Sequence, residues 1–556
     1  MDAVAGKPRM KMVGWYDPHR LVRTGIEVLI SMIFGENADF RLIEALGAPD
    51  APIHDLSRGQ DGAERESIWI DYVADSGDGW NSTYAIAHLV AQPWLEAGGE
   101  RLPRAEVLIF GGDQVYPAAS REEYERRLVA PYYCALAQSS EPNPMVFAIP
   151  GNHDWYDSLG SFTRLFCAKD WIGGWRAPQK RSYFALRLPH RWWLVALDMQ
   201  LGSDVDQNQV EYFMDVASRI GEDDRVIVCN AEPYWIYDHV YGAKDAAFRD
   251  KYLHYTGFIR KCFGGRRVRV LLAGDLHHYR RHEAVSPSAS IRQKITAGGG
   301  GAFLHPTHGP DVSTLEDGYE LKASFPGWWR SFGLTFRNLL FPFVNPWFGL
   351  ATALLYSLLA WSAQPDIGSY QLWAFCGAMR VALGEGLRSP GSTFWPIATI
   401  VGFFLFTDTH RRWFRFAGGL AHGLAHLGLA FALYWAAAWL SEHSWRAHPW
   451  AAYLLIVPAG GYILGPMVMG AYLLVSLNVF GRHSNEAFSS LRIQDWKSFL
   501  RMKVDASGLT IYPIGIARVP RRWRSRTPSD SSPSMFVPDD ARASAPELIE
   551  KPIVVT

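Results

Sequence analysis

The chain has 556 residues, more than one hydrophobic core usually spans, so at least two structural units are expected. Its 55 Lys and Arg balance 55 Asp and Glu to a formal charge of +0, which argues against nucleic acid as partner because binders of phosphate backbones carry a basic surplus. The five cysteines, Cys134, Cys167, Cys229, Cys262 and Cys376, form no CxxC pair, so neither a zinc knuckle nor a disulfide framework is indicated and reduced thiols are expected.

Residues 1–60 read as an N-terminal extension. The start, MDAVAGKPRMKMVGWYDPHR, has no long apolar run behind its basic residues, and the later IEVLISMIFG is short and carries Glu27. A cleaved secretion signal is therefore not expected. From 61 to 327, short β-rich runs alternate with polar helical stretches and Gly/Pro turns, the pattern of a soluble α/β or α+β domain. Four stretches there share one design, an apolar strand with a metal-ligating residue type at its end. IWIDYVADSGDGW carries Asp75, VLIFGGDQVYP carries Asp113 and Tyr116, MVFAIPGNHDWYD carries Asn152, His153 and Asp154, and VRVLLAGDLHHY carries Asp275 and His277. Strand C-termini line the ligand crevice of open α/β sheets, so these oxygen and nitrogen donors are expected to converge on a metal site. Asp78 fits a turn or a site equally well. TAGGGGAFLHPTH, from Thr296, reads as a loop closing over that site, with His305 and His308 facing it.

Four later segments are apolar over roughly the ~20 residues needed to cross a bilayer: NPWFGLATALLYSLLAWSA from Asn345, FWPIATIVGFFLF from Phe394 with its flanks, LAHGLAHLGLAFALYWAAAWL from Leu420, and AAYLLIVPAGGYILGPMVMGAYLLVSLNVF from Ala451. They predict a multi-span α-helical membrane region over 328–483 with about four helices, and a lipid bilayer as partner. Trp347, Trp395, Trp439 and Trp450 lie near the span ends, where amphipathic rings favour the headgroup zone. HRRWFR, from His410, is the most basic loop. Placing it inside puts the soluble domain and the segment after the last span inside as well, which makes the chain a multi-pass protein with a cytoplasmic soluble domain. His422 and His426 share one helix face, near the inner end of their span, where interfacial hydration accounts for them. Residues 484–523 include LRMKVDASGLTIYPIGIARVPRRW, two strands around the Asp505–Gly508 turn that are expected to pack on the soluble domain. From 524 to 556 Ser, Pro, Asp and Ala dominate, and disorder is expected.

GGDQVY, GNHD and GDLHHY, in that order and at strand ends, closely resemble the calcineurin-like metallophosphoesterases over roughly the first three hundred residues. The nearest look is the purple acid phosphatase branch: Asp75-Ser76-Gly77 supplies its DxG, and Gly112-Asp113-Gln114-Val115-Tyr116 its GDxxY. The resemblance implies a β-sandwich flanked by helices. It places Asp75, Asp113, Tyr116 and His277 on one metal, Asp113 as the bridge and Asn152 on a second. The alternative opening motif DxH is not met, because Gly77 stands at its histidine position. This sequence departs from the family at the second metal, where Ala231 takes the histidine position of an H-x-P stretch and Asp275 that of the first histidine in GHxH. Such a site would be lost, or remade from oxygen donors with Glu232 or Asn230 beside Asp275, a set suited to Mg²⁺ or Mn²⁺, with Fe or Zn as alternatives at the first site.

Two divalent ions some ~3.5–4 Å apart would neutralise an anionic ester and lower the pKa of a bridging water to make the attacking hydroxide. By the same resemblance His153 meets the phosphoryl oxygen or protonates the leaving group, a role suited to an imidazole, with Asp154 orienting its ring. His278 and His305 are candidate substrate contacts. The function implied is a membrane-anchored, metal-dependent hydrolase of a phosphomonoester or phosphodiester, with lipid-linked phosphates favoured by proximity to the bilayer. The other reading is a catalytically impaired phosphoesterase-like binding or sensor module, which the missing histidines favour.

Overall fold

The computed structural model describes residues 9–19, 52–59, 61–137, 143–199, 205–264, 267–315, 317–363, 377, 379, 384, 390–407, 412–540 and 545–556. Most of the expected N-terminal extension, the segment from Tyr370 to Gly386 save three positions, and the first two residues of HRRWFR lie outside them. The chain divides into two compact units: Met1–Val13, Thr24–Ser331 and Arg492–Thr556 form one, Gly14–Arg23 and Phe332–Leu491 the other.

The first unit is mixed α/β, built on two nine-stranded sheets. In one, Ser67–Val73, Val107–Gly111 and Met145–Ile149 run parallel at its centre. In the other, Trp192–Ala196, Arg225–Cys229, Val268–Ala273 and Gln293–Ala297 run parallel. These strands are near-continuous apolar runs such as VLIFG and VRVLLA, as strands covered on both faces require. One face of each sheet meets the other sheet: Ile70, Ile109, Phe147, Leu194, Ile227, Val270 and Ile295 belong to one shared core. The alternate residues face outward. Phe110 and Val146 pack with Tyr84 and Leu89 of the helix Trp80–Ala91, while Val195, Val228 and Leu271 pack with Phe213 and Ile259 of the helices Gln207–Arg219 and Ala246–Phe263. Asp206 and Asp245 start those two helices by accepting the N–H groups of Gln209 and Ala247. The order is helix, sheet, sheet, helix, and all the parallel strands of a sheet end on one side.

The C-terminal segment is part of this unit. Lys497–Asp505 and Gly508–Ile516 form a hairpin, and the first of these strands pairs with Ser67–Val73. Arg501 meets Asp71 there in a buried two-pronged ion pair of 2.8 and 2.7 Å. The expectation of disorder beyond Arg524 is corrected in part: Glu547–Leu548 and Ile553–Val555 both pair with Gly508–Ile516, and the Tyr84 hydroxyl donates to the Phe536 carbonyl at 2.8 Å. A few apolar residues at strand spacing, Ile553 and Val555, suffice because a sheet edge already waits for them.

The second unit is helical, with Pro346–Ala363, Pro390–Phe406, Arg412–His443 and Pro449–Phe480. Among the described residues two helices, Arg412–His443 and Trp450–Phe480, are long and apolar enough to cross a membrane. A third span requires the bent pair Trp328–Val344 and Pro346–Ser362 to count as one, and Thr393–Phe406 is shorter than a span. The expected number of about four is therefore not reproduced. Small residues let the backbones approach: Gly461 lies against Ala353, and Thr352 donates to the Gly461 carbonyl at 2.8 Å. His422 and His426 are buried inside this unit; their Nε2 atoms are 3.3 Å apart and the Tyr356 hydroxyl lies 2.7 Å from His426 Nδ1.

Candidate active site

The strand ends of the first unit bring the four motif stretches together. Asp75, Asp113 and Asp275 each take up a left-handed backbone, with φ of 58°, 51° and 68°. Aspartate tolerates that region better than most residues, yet it remains sparsely populated. Three strained carboxylates, each just past the end of a parallel strand, are the kind of outlier that marks a working site. Two glycines make room for them. A Cβ on Gly151 would lie 2.0 Å from Asp113 Oδ1, and one on Gly298 would lie 2.1 Å from Asp75 Oδ2.

The donors meet on one atom. The Tyr116 hydroxyl is 2.8 Å from His277 Nε2, 3.1 Å from Asp113 Oδ2 and 3.3 Å from Asp75 Oδ1. His277 Nδ1 donates to the Phe303 carbonyl at 2.8 Å, which fixes the tautomer and aims the Nε2 lone pair inward, as a metal-ligating imidazole is commonly held. A phenol has one proton and cannot serve three acceptors at once. Asp75 Oδ2 is buried with no hydrogen-bond partner among the described residues. Burial, with the charges of Asp113 and Asp275, holds the Asp75 carboxyl well above the usual range. Burial, with the same carboxylates and Asp75, raises the Tyr116 phenol. The cluster is short of positive charge.

Among the described residues no three His, Cys, Asp or Glu side chains are spaced to hold an ion as they stand; the phenol fills the middle. The donor chemistry nonetheless suits a divalent cation on this side. Two carboxylates, one with an orphaned buried oxygen, and an inward imidazole nitrogen would all gain by one.

The other expected ligands are differently placed. Asp275 Oδ2 accepts the Tyr237 hydroxyl, and it pairs with neither Arg280, which donates to the Thr307 carbonyl, nor Arg281, which meets Glu550. Glu232 Oε2 is 3.1 Å from Lys251 Nζ. Asn230 accepts the Tyr255 hydroxyl at 2.6 Å. The Asn152 amide donates to the Tyr156 hydroxyl at 3.4 Å.

His153 sits beside this cluster, its ring centroid 4.5 Å from that of Tyr116. Its Nδ1 donates to the Pro117 carbonyl at 2.6 Å, and its backbone N–H to Asp113 Oδ1 at 3.0 Å. The expectation that Asp154 orients the ring is corrected: Asp154 accepts from the backbone of Gly151 at 2.8 Å, from that of Gln114 and from the Tyr124 hydroxyl. It braces two motif turns against each other, and the Pro117 carbonyl orients the imidazole. His305 stacks on His277 with centroids 3.9 Å apart. His278 is buried beside it, while His308 turns away to Ser331 Oγ at 2.7 Å. Asp78 accepts the N–H groups of Val13 and Phe303 and so ties two backbone segments together.

Several residues here carry no sequence signal. Lys497 is fully buried on the C-terminal hairpin, without a hydrogen-bond partner for its ammonium; burial pushes its pKa down to about 7, opposed by Asp495, Asp78 and Asp75. Asp198, past the end of Trp192–Ala196, accepts the Trp155 indole N–H at 3.1 Å, and burial lifts its carboxyl to about 7. Lys251, Tyr237 and Tyr255 come from helical stretches with no motif around them.

No protein-family model matches the chain, and no curated protein matches it. Among solved structures it is similar to the purple acid phosphatase PPD1 from yellow lupin (Lupinus luteus) seeds, at 11% identity and a TM-score of 0.32 over 48% of this chain and 50% of that one. It is also similar to PhoD, at 12% identity and a TM-score of 0.28 over 46% of this chain and 59% of that one. The chain thus spans about half the length of the structures it matches, and similarity of this degree assigns neither substrate nor residue roles.

Proposed function

We propose that the chain is a membrane-anchored, metal-dependent phosphoesterase, hydrolysing a phosphomonoester or phosphodiester on the cytoplasmic face. The observation that carries this reading is the convergence of Asp75, Asp113 and His277 on the Tyr116 hydroxyl, in a buried cluster of carboxyl groups. Divalent ions there, Mn²⁺ or Mg²⁺ by the donor set and Fe or Zn as alternatives, would supply Lewis-acid charge and a water of lowered pKa. Asp75, Asp113 and His277 would hold the ion, with Tyr116 and Asn152 as further donors. His153, held through Nδ1 by the Pro117 carbonyl, would exchange a proton with the ester's leaving group. His305, stacked on His277, and His278 behind it are suited to contacting the substrate. The apolar helices of the second unit support a bilayer anchor, and the basic HRRWFR loop supports the inward orientation.

Engagement of Glu232 by Lys251 and of Asp275 by Tyr237 favours a second reading, a phosphoesterase-like binding or sensor module at the membrane. Turnover separates the two. The detergent-solubilised full chain, assayed with Mn²⁺ across phosphomonoesters, phosphodiesters and lipid phosphates, is expected to hydrolyse at least one class. Binding without hydrolysis of any class would select the second reading.

A further inference from the structure

We propose that Lys251 stands in place of a second cation, so that the chain holds one divalent ion and one ammonium rather than two ions. This refines the metal content of the function proposed above and rests on it.

The oxygen donors at the ends of Arg225–Cys229 and Val268–Ala273 are Asn230, Glu232 and Asp275. Each already has a partner from the helical layer behind it. Lys251 reaches from the helix Ala246–Phe263 to put Nζ 3.1 Å from Glu232 Oε2, with the two side chains only 22% and 16% exposed. Its ammonium also lies 5.2 Å from the centre of the Tyr234 ring, a second contact favouring positive charge there. The Tyr237 hydroxyl donates to Asp275. Asn230 spends both ends of its amide, accepting from Tyr255 and donating to the Glu232 carbonyl.

The contrast with the Asp113 side is chemical. There one phenol proton is shared by three acceptors and Asp75 Oδ2 has no partner. A divalent ion near Glu232 would meet the Lys251 ammonium, whereas around Tyr116 three acceptors share a single proton and the buried Lys497 ammonium makes no hydrogen bond with them among the described residues.

The test counts ions. Full-length protein in detergent, stripped with chelator and re-equilibrated with Mn²⁺, is analysed for bound manganese per chain and titrated calorimetrically, as wild type, Lys251→Gln and Lys251→Arg. The expected result is one ion in the wild type and in Lys251→Arg, and a second, weaker ion in Lys251→Gln. One ion in a folded Lys251→Gln, checked by circular dichroism, would overturn the inference. Two ions in the wild type would overturn it whatever the variants do, and would leave the proposed function standing. No ion in the wild type would instead remove the metal-dependent reading on which both rest.

Discussion

The two sides of the site are built from the same material and finished differently. On the Asp113 side, Asp75, Asp113 and His277 reach toward one phenol, and the buried Lys497 ammonium makes no hydrogen bond with them among the described residues. On the Asp275 side, each of the three side chains has a protein partner: Glu232 meets Lys251 through Oε2, Asp275 accepts from Tyr237 through Oδ2, and Asn230 accepts from Tyr255. Both sides crowd carboxylates into a buried space, which costs free energy unless opposite charge or a proton arrives. The positions of acidic residues do not by themselves define an ion site. What matters is which of them the protein has left unanswered.

The largest effect that would break this comparison is at Asp113. Asp113→Asn removes a carboxylate of the open cluster, and hydrolysis is expected to fall about 10⁴-fold or more, the rate equivalent of several kcal/mol of transition-state stabilisation. Retained turnover in a steady-state assay would show that the chemistry lies elsewhere. His153→Ala comes next, with turnover lowered by about 10²–10⁴-fold, the range for a proton-transfer group. Because the ring is held by the Pro117 carbonyl, Mn²⁺ affinity should be unchanged in that variant; weakened binding would reassign the residue to the ion.

Asp275→Asn sharpens the contrast. A carboxylate already held by Tyr237 is expected to matter less than one left open, so activity should fall by about tenfold or less, near 1.4 kcal/mol. A loss as large as that at Asp113 would make the two sides equivalent. The smallest effect concerns Asp198, whose carboxyl burial lifts to about 7, against about 3.9 in an unfolded chain. Between those values the folded state binds more protons than the unfolded one, so Asp198 makes stability fall as pH rises from about 4 to about 7 and contributes a constant penalty above. Asp198→Asn should therefore melt a few degrees higher than wild type at pH 8 and at the same temperature at pH 4. Equal melting at both would show that Asp198 is not buried in its charged form.

The Asp113 side was the legible part. Its residues follow apolar strands directly, with glycines at the turns, and it is the four motifs in order, not any one alone, that set Asp75, Asp113, His153 and His277 together. The Asp275 side was half legible: the missing imidazoles at Ala231 and Asp275 are visible in the motifs, but the groups that answer them are not. Lys251 lies nineteen residues from Glu232 and Tyr237 thirty-eight from Asp275, on helices whose sequence serves packing against Val228 and Leu271 and carries no sign of the site. The tail misled for the opposite reason. Its Ser- and Pro-rich composition predicts disorder, and only the open edge of Gly508–Ile516, formed by residues far earlier, gives Ile553 and Val555 something to pair with. In the second unit, hydropathy located the apolar runs, but helix length decides a span, and Thr393–Phe406 falls short.

The measurement that bears most directly on the central claim is the Mn²⁺ binding isotherm of the full chain beside that of Asp113→Asn. Saturable binding in the wild type that disappears in the variant is the predicted result. Equal binding in both would contradict the assignment of the open side as the ion site.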